Sequence, residues 1–155
     1  NIDTGAVLYV ANKEHLSNDQ VSDMLNKKSG LLGISGVSSD MRDIDAAIAQ
    51  GNTRSALALQ MYEYNILKYI GAYAAVLNGF DVLVFTCGVG ENQVALRERL
   101  CKSLAYLGVE CNCELNAASR GEEVEISTKN SKVRVVVIPT DEELMIASDT
   151  KRLVE

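Results

Sequence analysis

Proline, histidine and basic clusters are scarce in this chain, and each scarcity excludes something. The only histidine, His15, lies far in sequence from the four cysteines. Cys111 and Cys113 are separated by one residue, which is not the usual zinc spacing. Lysine and arginine are scattered through a chain of net charge −6. That argues against a nucleic-acid surface, which needs a basic footprint. No apolar run approaches the length of a membrane span, and no signal peptide is visible. Internal repeats and low-complexity tracts are missing as well. The single proline, Pro139, serves as a stop after a β-branched run.

What remains is ordinary globular material. Hydrophobic residues make up 47% and charged residues 23% of 155 residues, enough for one domain with a real core. The chain begins at Asn1 rather than Met and runs straight into a helical pattern. We therefore expect a fragment of a longer protein, with 1–155 as one domain. Cys101 sits inside a helical pattern, where a small buried thiol is the common arrangement. With Cys87, Cys111 and Cys113 it is expected to be reduced and structural, which fits a cytoplasmic protein.

Helices and a few strands alternate along the chain. Thr4 is a candidate cap for a helix to about Asn12. Ser17 and Gln20 form a capping box for a helix ending near Lys28, with Gly30 after it. Residues 30–43 are rich in Gly and Ser, yet interleaved with apolar residues, so they are not a linker. A helix over Ile44–Gln50 follows. Asn52 can cap a long helix to about Asn78, apolar over so wide an arc that it should be largely buried. Its Gly71, Ala72, Ala74 and Ala75 permit close approach by another element. Residues 81–85 predict a buried strand, and Glu91–Leu107 a helix with Leu96, Leu100, Leu104 and Leu107 on one side. Strands are expected at 123–127 and 133–138, the second of them central. Thr140 is a candidate cap for a last helix with Asp141, Glu142 and Glu143 in its first turn. This is an α/β pattern, and its two best strands each deliver a polar motif at their C-terminal ends, where ligands of open α/β sheets collect.

The most informative of those motifs is Phe85-Thr86-Cys87-Gly88-Val89-Gly90-Glu91-Asn92. A strand, a glycine turn and a helix start bring backbone N–H groups and a positive helix end up to an anion. The two glycines can take positive φ and leave no Cβ between backbone and ligand. Nucleotide phosphate is the first candidate for that place, and an ordinary tight strand–helix turn is the competing account. Glu142 is a hard oxygen donor suited to Mg²⁺, or simply an acid favoured by the helix dipole. Arg42 could stack on a base or pair with Asp43 or Asp45. Asn92 could bind a ribose or cap its helix.

Three motifs in fixed order carry a resemblance. They are Leu31-Leu32-Gly33-Ile34-Ser35-Gly36-Val37-Ser38-Ser39-Asp40-Met41-Arg42, then Phe85 to Asn92, then Ile138-Pro139-Thr140-Asp141-Glu142-Glu143-Leu144. Together, over the full length of the chain, they resemble the acetate kinase family. That family lies in the ribonuclease H-like superfamily of sugar kinases, heat-shock ATPases and actin. The part resembled is the C-terminal domain, a small sheet flanked by helices that holds the nucleotide. The resemblance implies reversible transfer of phosphate from ATP to acetate, giving ADP and acetyl phosphate, with Mg²⁺ (or Mn²⁺). It implies that Asp40, Met41 and Arg42 lie at the base and ribose. Gly88, Val89, Gly90, Glu91 and Asn92 would lie along the phosphates and ribose, and Glu142 would be the metal residue. Val89 stands where the family has isoleucine, and Asp141 where asparagine is common. An extra carboxylate there could shift metal affinity slightly. The resemblance also implies a homodimer built by this domain. The family's acetate pocket, catalytic arginines, catalytic aspartate, histidines and a phosphate loop would precede Asn1. No catalytic residue is therefore expected within 1–155, and the fragment alone is expected not to turn over.

Other readings differ in class. A propionate or butyrate kinase shares every motif here, because the acyl pocket lies elsewhere. A non-catalytic assembly domain would use the long apolar helix. A Rossmann dehydrogenase fits poorly, since Gly88-Val89-Gly90 lacks the third glycine and no acidic residue ends a following strand at the usual distance.

Overall fold

The computed structural model describes residues 2–155, which form two compact units divided at Tyr64 and Asn65. The first is helical. Its α1 (Thr4–Lys13) is capped by Asp3, whose carboxylate accepts the Ala6 N–H at 2.8 Å, and not by Thr4. The expected capping box is present: Ser17 and Gln20 bond each other's backbone at the start of α2 (Asn18–Lys27). Removing such a cap costs about 1 kcal/mol.

The Gly/Ser-rich segment is ordered, as expected. Gly30–Ser35 form a short helix, α3, and Gly36 follows with φ of 70°. Arg54 donates to the carbonyls of Ile34 (2.9 Å) and Gly33 (3.3 Å), closing the open end of that helix. The positive φ at Gly36 favours glycine, and a Cβ there would stand 3.3 Å from the Arg54 guanidinium, which would have to shift. Buried Ser35 accepts the Val37 N–H, and the Ser38 hydroxyl accepts the Asp40 N–H. These two bonds aim the chain into α4 (Met41–Ala49), which begins three residues before the expected Ile44. Met41, Ile44 and Ala58 are buried in this unit.

α5 (Thr53–Leu77) passes from the first unit into the second. Asn52 caps it as expected, accepting the Ser55 N–H at 2.9 Å. The expectation of a largely buried helix fails. Leu57, Met61, Tyr64, Tyr69, Tyr73, Val76 and Leu77 are all exposed, Val76 by 82%. Among its small residues, Ala74 is buried and Gly71 faces the Tyr106 hydroxyl, 3.9 Å from where a Cβ would be.

The second unit holds the sheet. β1 (Val82–Phe85) leads into α6 (Cys87–Asn92) and α7 (Val94–Ser103), followed by a 3₁₀ turn, Ala105–Leu107. Next come α8 (Cys113–Ala118), β2 (Val124–Glu125), β3 (Arg134–Val137) and α9 (Glu142–Val154). Strand order is β1-β3-β2, so β3 is central as its apolar run predicts. β1 pairs with it in parallel, Phe85 opposite Val137, and β2 pairs antiparallel. Val135 and Val137 on β3, with Ile126, Val109 and Leu96, Leu100 and Leu104 of α7, make the core. Each such side chain stabilises the unit by about 1.5–3 kcal/mol. β1 is an edge strand, and only Phe85 is buried; Val82 and Val84 are 44% exposed. The buried strand expected there is thus half-open.

Candidate functional site

β1 and β3 run in parallel, so their C-terminal ends leave the sheet at the same edge. At that edge the Glu91 carboxylate accepts the backbone N–H of Thr140 at 2.9 Å and its hydroxyl at 3.1 Å. One side chain thus ties the Gly88–Asn92 segment to the start of α9. Asp141, not Thr140, caps α9, accepting the Leu144 N–H at 2.9 Å. One Asp141 oxygen is therefore occupied next to Glu142. The Glu142 side chain sits in the first turn of α9 and is exposed.

The glycine turn is built differently from expectation. Gly88 and Gly90 are both inside helix α6, and neither has positive φ; Cys87 has it instead, at 60°. A non-glycine residue in that region is strained by about 1–3 kcal/mol, and such strain concentrates at functional sites. The two glycines also differ from each other. A Cβ on Gly90 would lie 3.2 Å from the Phe85 carbonyl carbon, so Gly90 lets α6 close onto the end of β1. A Cβ on Gly88 would meet nothing within 4 Å. Gly88 thus faces open space at the N-terminal end of α6. Thr86 makes no side-chain cap there, and a helix leaves its first N–H groups without an intrahelical acceptor. Asn92 donates its amide to the Gly88 carbonyl at 2.8 Å, which is an internal tie across α6.

Sequence reasoning missed Arg97. Its side chain is fully buried. Nη1 donates to the carbonyls of Gly90 (2.8 Å) and Glu91 (2.6 Å), and Nε donates to the Asn116 amide oxygen (2.7 Å). Asn116 is also buried and returns a bond to the Val94 carbonyl at 3.0 Å. In one continuous helix those Gly90 and Glu91 carbonyls would accept the N–H groups of Val94 and Ala95. Arg97 takes them, and the chain leaves helical geometry at Gln93 (ψ 76°). The single helix expected over Glu91–Leu107 is broken for this reason. Burial lowers the Arg97 pKa from its usual value; an arginine nonetheless stays charged.

In the first unit, Asp40 caps α4 through the Arg42 N–H and also grips the Arg42 guanidinium. Oδ2 is 2.6 Å from Nη2, and Oδ1 is 3.0 Å from Nε. The pair is a planar fork held in solvent, with the Arg42 side chain 86% exposed. Met41 is buried beside it. The Arg42 hydrogen bond is the main cause that lowers the Asp40 carboxyl from its ordinary value to about 2. Because the folded pKa lies below the unfolded one, this contribution is present above about pH 4 and is lost as pH falls through about 2. Arg42→Ala is expected to return the Asp40 midpoint toward the ordinary carboxylate range. A carboxyl-detected NMR titration reads this, and an unmoved midpoint would contradict the pairing.

The described residues include no cluster of three or more His, Cys, Asp or Glu able to hold a metal. A hard cation here would have one protein carboxylate, Glu142, and take its other ligands from water and a bound phosphate. That donor set suits Mg²⁺, which keeps several waters and binds through one or two carboxylates plus phosphate oxygens.

The Acetokinase family model matches residues 1–148. The acetate kinase of Bacteroides thetaiotaomicron is 60% identical over 149 residues, which are 96% of this chain and 37% of that protein. The crystal structure of Porphyromonas gingivalis acetate kinase superposes with a TM-score of 0.89 at 50% identity, covering 100% of this chain and 39% of the other. A propionate kinase from Francisella tularensis superposes with a TM-score of 0.83 at 37% identity, over 95% of this chain and 37% of the other. The chain thus spans under two-fifths of the length of each of these three relatives.

Proposed function

This chain belongs to the acetokinase family, and on that premise we propose that it is the nucleotide-binding C-terminal domain of an ATP-dependent carboxylate kinase. The reaction proposed is reversible transfer of the γ-phosphoryl group of ATP to acetate, giving acetyl phosphate and ADP. One observation supports this reading of the nucleotide site: the Glu91 carboxylate bonded to Thr140, which joins the Gly88–Asn92 segment to the Glu142 helix at the C-terminal edge of a parallel strand pair.

The residues divide the work as follows. The N-terminal N–H groups of α6, next to Gly88, receive phosphate oxygens. Glu91 and Asn92 fix the shape of that segment and leave their outer faces to the ribose. Asp40 holds Arg42 flat for stacking on a base, and buried Met41 seats the α4 start that carries both. Glu142 holds Mg²⁺, whose charge screens the transferring phosphoryl group. Phosphoryl transfer depends on positioning and charge neutralisation more than on covalent chemistry. The groups that bind acetate and complete the transition state are proposed to lie outside residues 1–155, in the cytoplasmic full-length protein.

Glu142→Ala tests the metal assignment. In the full-length protein it is expected to raise the Mg²⁺ concentration needed for half-maximal rate by about tenfold, the equivalent of about 1.4 kcal/mol. The ATP Michaelis constant at saturating Mg²⁺ should change much less. An unchanged Mg²⁺ requirement would place the ion elsewhere.

A second reading is favoured by the propionate kinase match: the acceptor is a longer acyl group. Turnover of the full-length protein on acetate, propionate and butyrate separates the two. We further propose a homodimer. The exposed Tyr69, Tyr73, Val76 and Leu77 near the end of α5 are its support, being more apolar surface than a lone helix face usually leaves in water.

A further inference from the structure

Two cysteines of the second unit form a pair that the kinase reading does not use. Cys101 lies on α7 and is 1% exposed, whereas Cys111 is half-buried and bridges Ser127 through its backbone. Both line one cleft of about 230 Å³, together with Glu98, Lys102, Glu110 and Cys113. All four cysteines are free thiols. Their side chains interact with each other across that cleft lining.

We propose that Cys111 and Cys101 are a hydroperoxide-reactive thiol pair, Cys111 the sulfur that is oxidised and Cys101 the thiol that resolves it into a disulfide. The geometry assigns the roles. Cys111 opens to the cleft, where a small peroxide can reach it. Cys101 is shielded and already in contact with its partner. The side-chain interaction with Cys111, and then burial, push the Cys101 thiol up. The interaction with Cys101 lowers Cys111, and the Arg97 guanidinium adds to this, while burial and Glu98 oppose it. Thiolate is the reactive form.

The chemistry balances with hydrogen peroxide as oxidant. The Cys111 thiolate attacks one peroxide oxygen, the O–O bond breaks, and the leaving hydroxide takes a proton to become water. Cys111 is then a sulfenic acid. Cys101 sulfur attacks Cys111 sulfur, the S–O bond breaks, and the Cys101 proton leaves with the hydroxyl as a second water. Two thiols lose two electrons and one peroxide gains them.

The test treats the reduced full-length protein with hydrogen peroxide, alkylates remaining thiols and maps peptides without reductant. The expected product is a Cys101–Cys111 linked peptide, lighter by two hydrogens and restored by dithiothreitol. Before oxidation, Cys111 should alkylate at least about tenfold faster than Cys101. In Cys101→Ser, Cys111 should be trapped by dimedone as sulfenic acid. Wild-type mapping alone decides the matter if that variant does not fold. A link from Cys111 to Cys113, or no link at peroxide levels that oxidise exposed Cys87, would overturn the proposal.

Discussion

Replacing Arg97 by methionine is expected to destabilise the second unit by about 3–5 kcal/mol, as large an effect as any single substitution here. The guanidinium is fully buried and satisfies four acceptors: the carbonyls of Gly90, Glu91 and Asn116, and the Asn116 side-chain oxygen. Methionine fills part of the volume and none of the hydrogen bonds. Each buried acceptor left without a partner costs about 1–3 kcal/mol unless water reaches it. The α6–α7 break exists because Arg97 takes the carbonyls that a continuous helix would use. Losing it frees residues 90–94 to wind into one helix, which would carry Glu91 away from Thr140. Chemical denaturation of the full-length protein measures the stability change. A loss below about 1 kcal/mol would mean that the guanidinium is wet and that the break has another cause.

The second large effect separates two glycines that look equivalent in the sequence. Gly88→Leu is expected to leave the fold intact, since a Cβ there meets nothing within 4 Å and the backbone is helical. Its side chain would stand where the phosphates are proposed to lie. The ATP Michaelis constant of the full-length protein should rise by about tenfold or more, at least about 1.4 kcal/mol, with that for acetate little changed. Gly90→Val should do the reverse. Its Cβ would press on Phe85 backbone at 3.2 Å, and backbone cannot give way as a side-chain tip does. Stability should fall by about 1–3 kcal/mol, with nucleotide binding lost mainly through unfolding. If Gly88→Leu leaves ATP binding untouched in a folded protein, the open face of α6 is not the phosphate site.

Much of the scaffold was legible in the residues. Ser17 with Gln20 and Asn52 before a long apolar pattern are local chemistry, and both caps form. The Val133–Ile138 run is β-branched and apolar, so only a central strand suits it. What was misplaced turned on side chains competing for the same backbone groups. Asp3 and Asp141 each stand next to a threonine that could cap, and in both places it is the aspartate carboxylate that accepts the helix N–H. Positive φ was expected to be open to Gly88 and Gly90, because glycine tolerates it best; it falls on Cys87 instead, and Gly90 serves the close contact with Phe85. The long helix α5 read as buried because apolarity cannot say whether the covering surface is in the same chain. Arg97 did leave a signal. It stands in the stripe of Leu96, Leu100, Cys101 and Leu104, all buried, where a cation is out of place unless it is fully bonded. Of the candidate site, Glu91 with Thr140 links two of the motifs, and Asp40 with Arg42 forms a unit of its own.

The central claim is that the nucleotide phosphates lie at the N-terminal end of α6, with Mg²⁺ at Glu142. Its most direct test is a crystal structure of the full-length protein with Mg²⁺ and ADP. The account predicts phosphate oxygens within hydrogen-bond distance of backbone N–H groups around Gly88, and the ion bound to Glu142 directly or through one water. Nucleotide density away from both strand ends, with the Gly88 face empty, would contradict it.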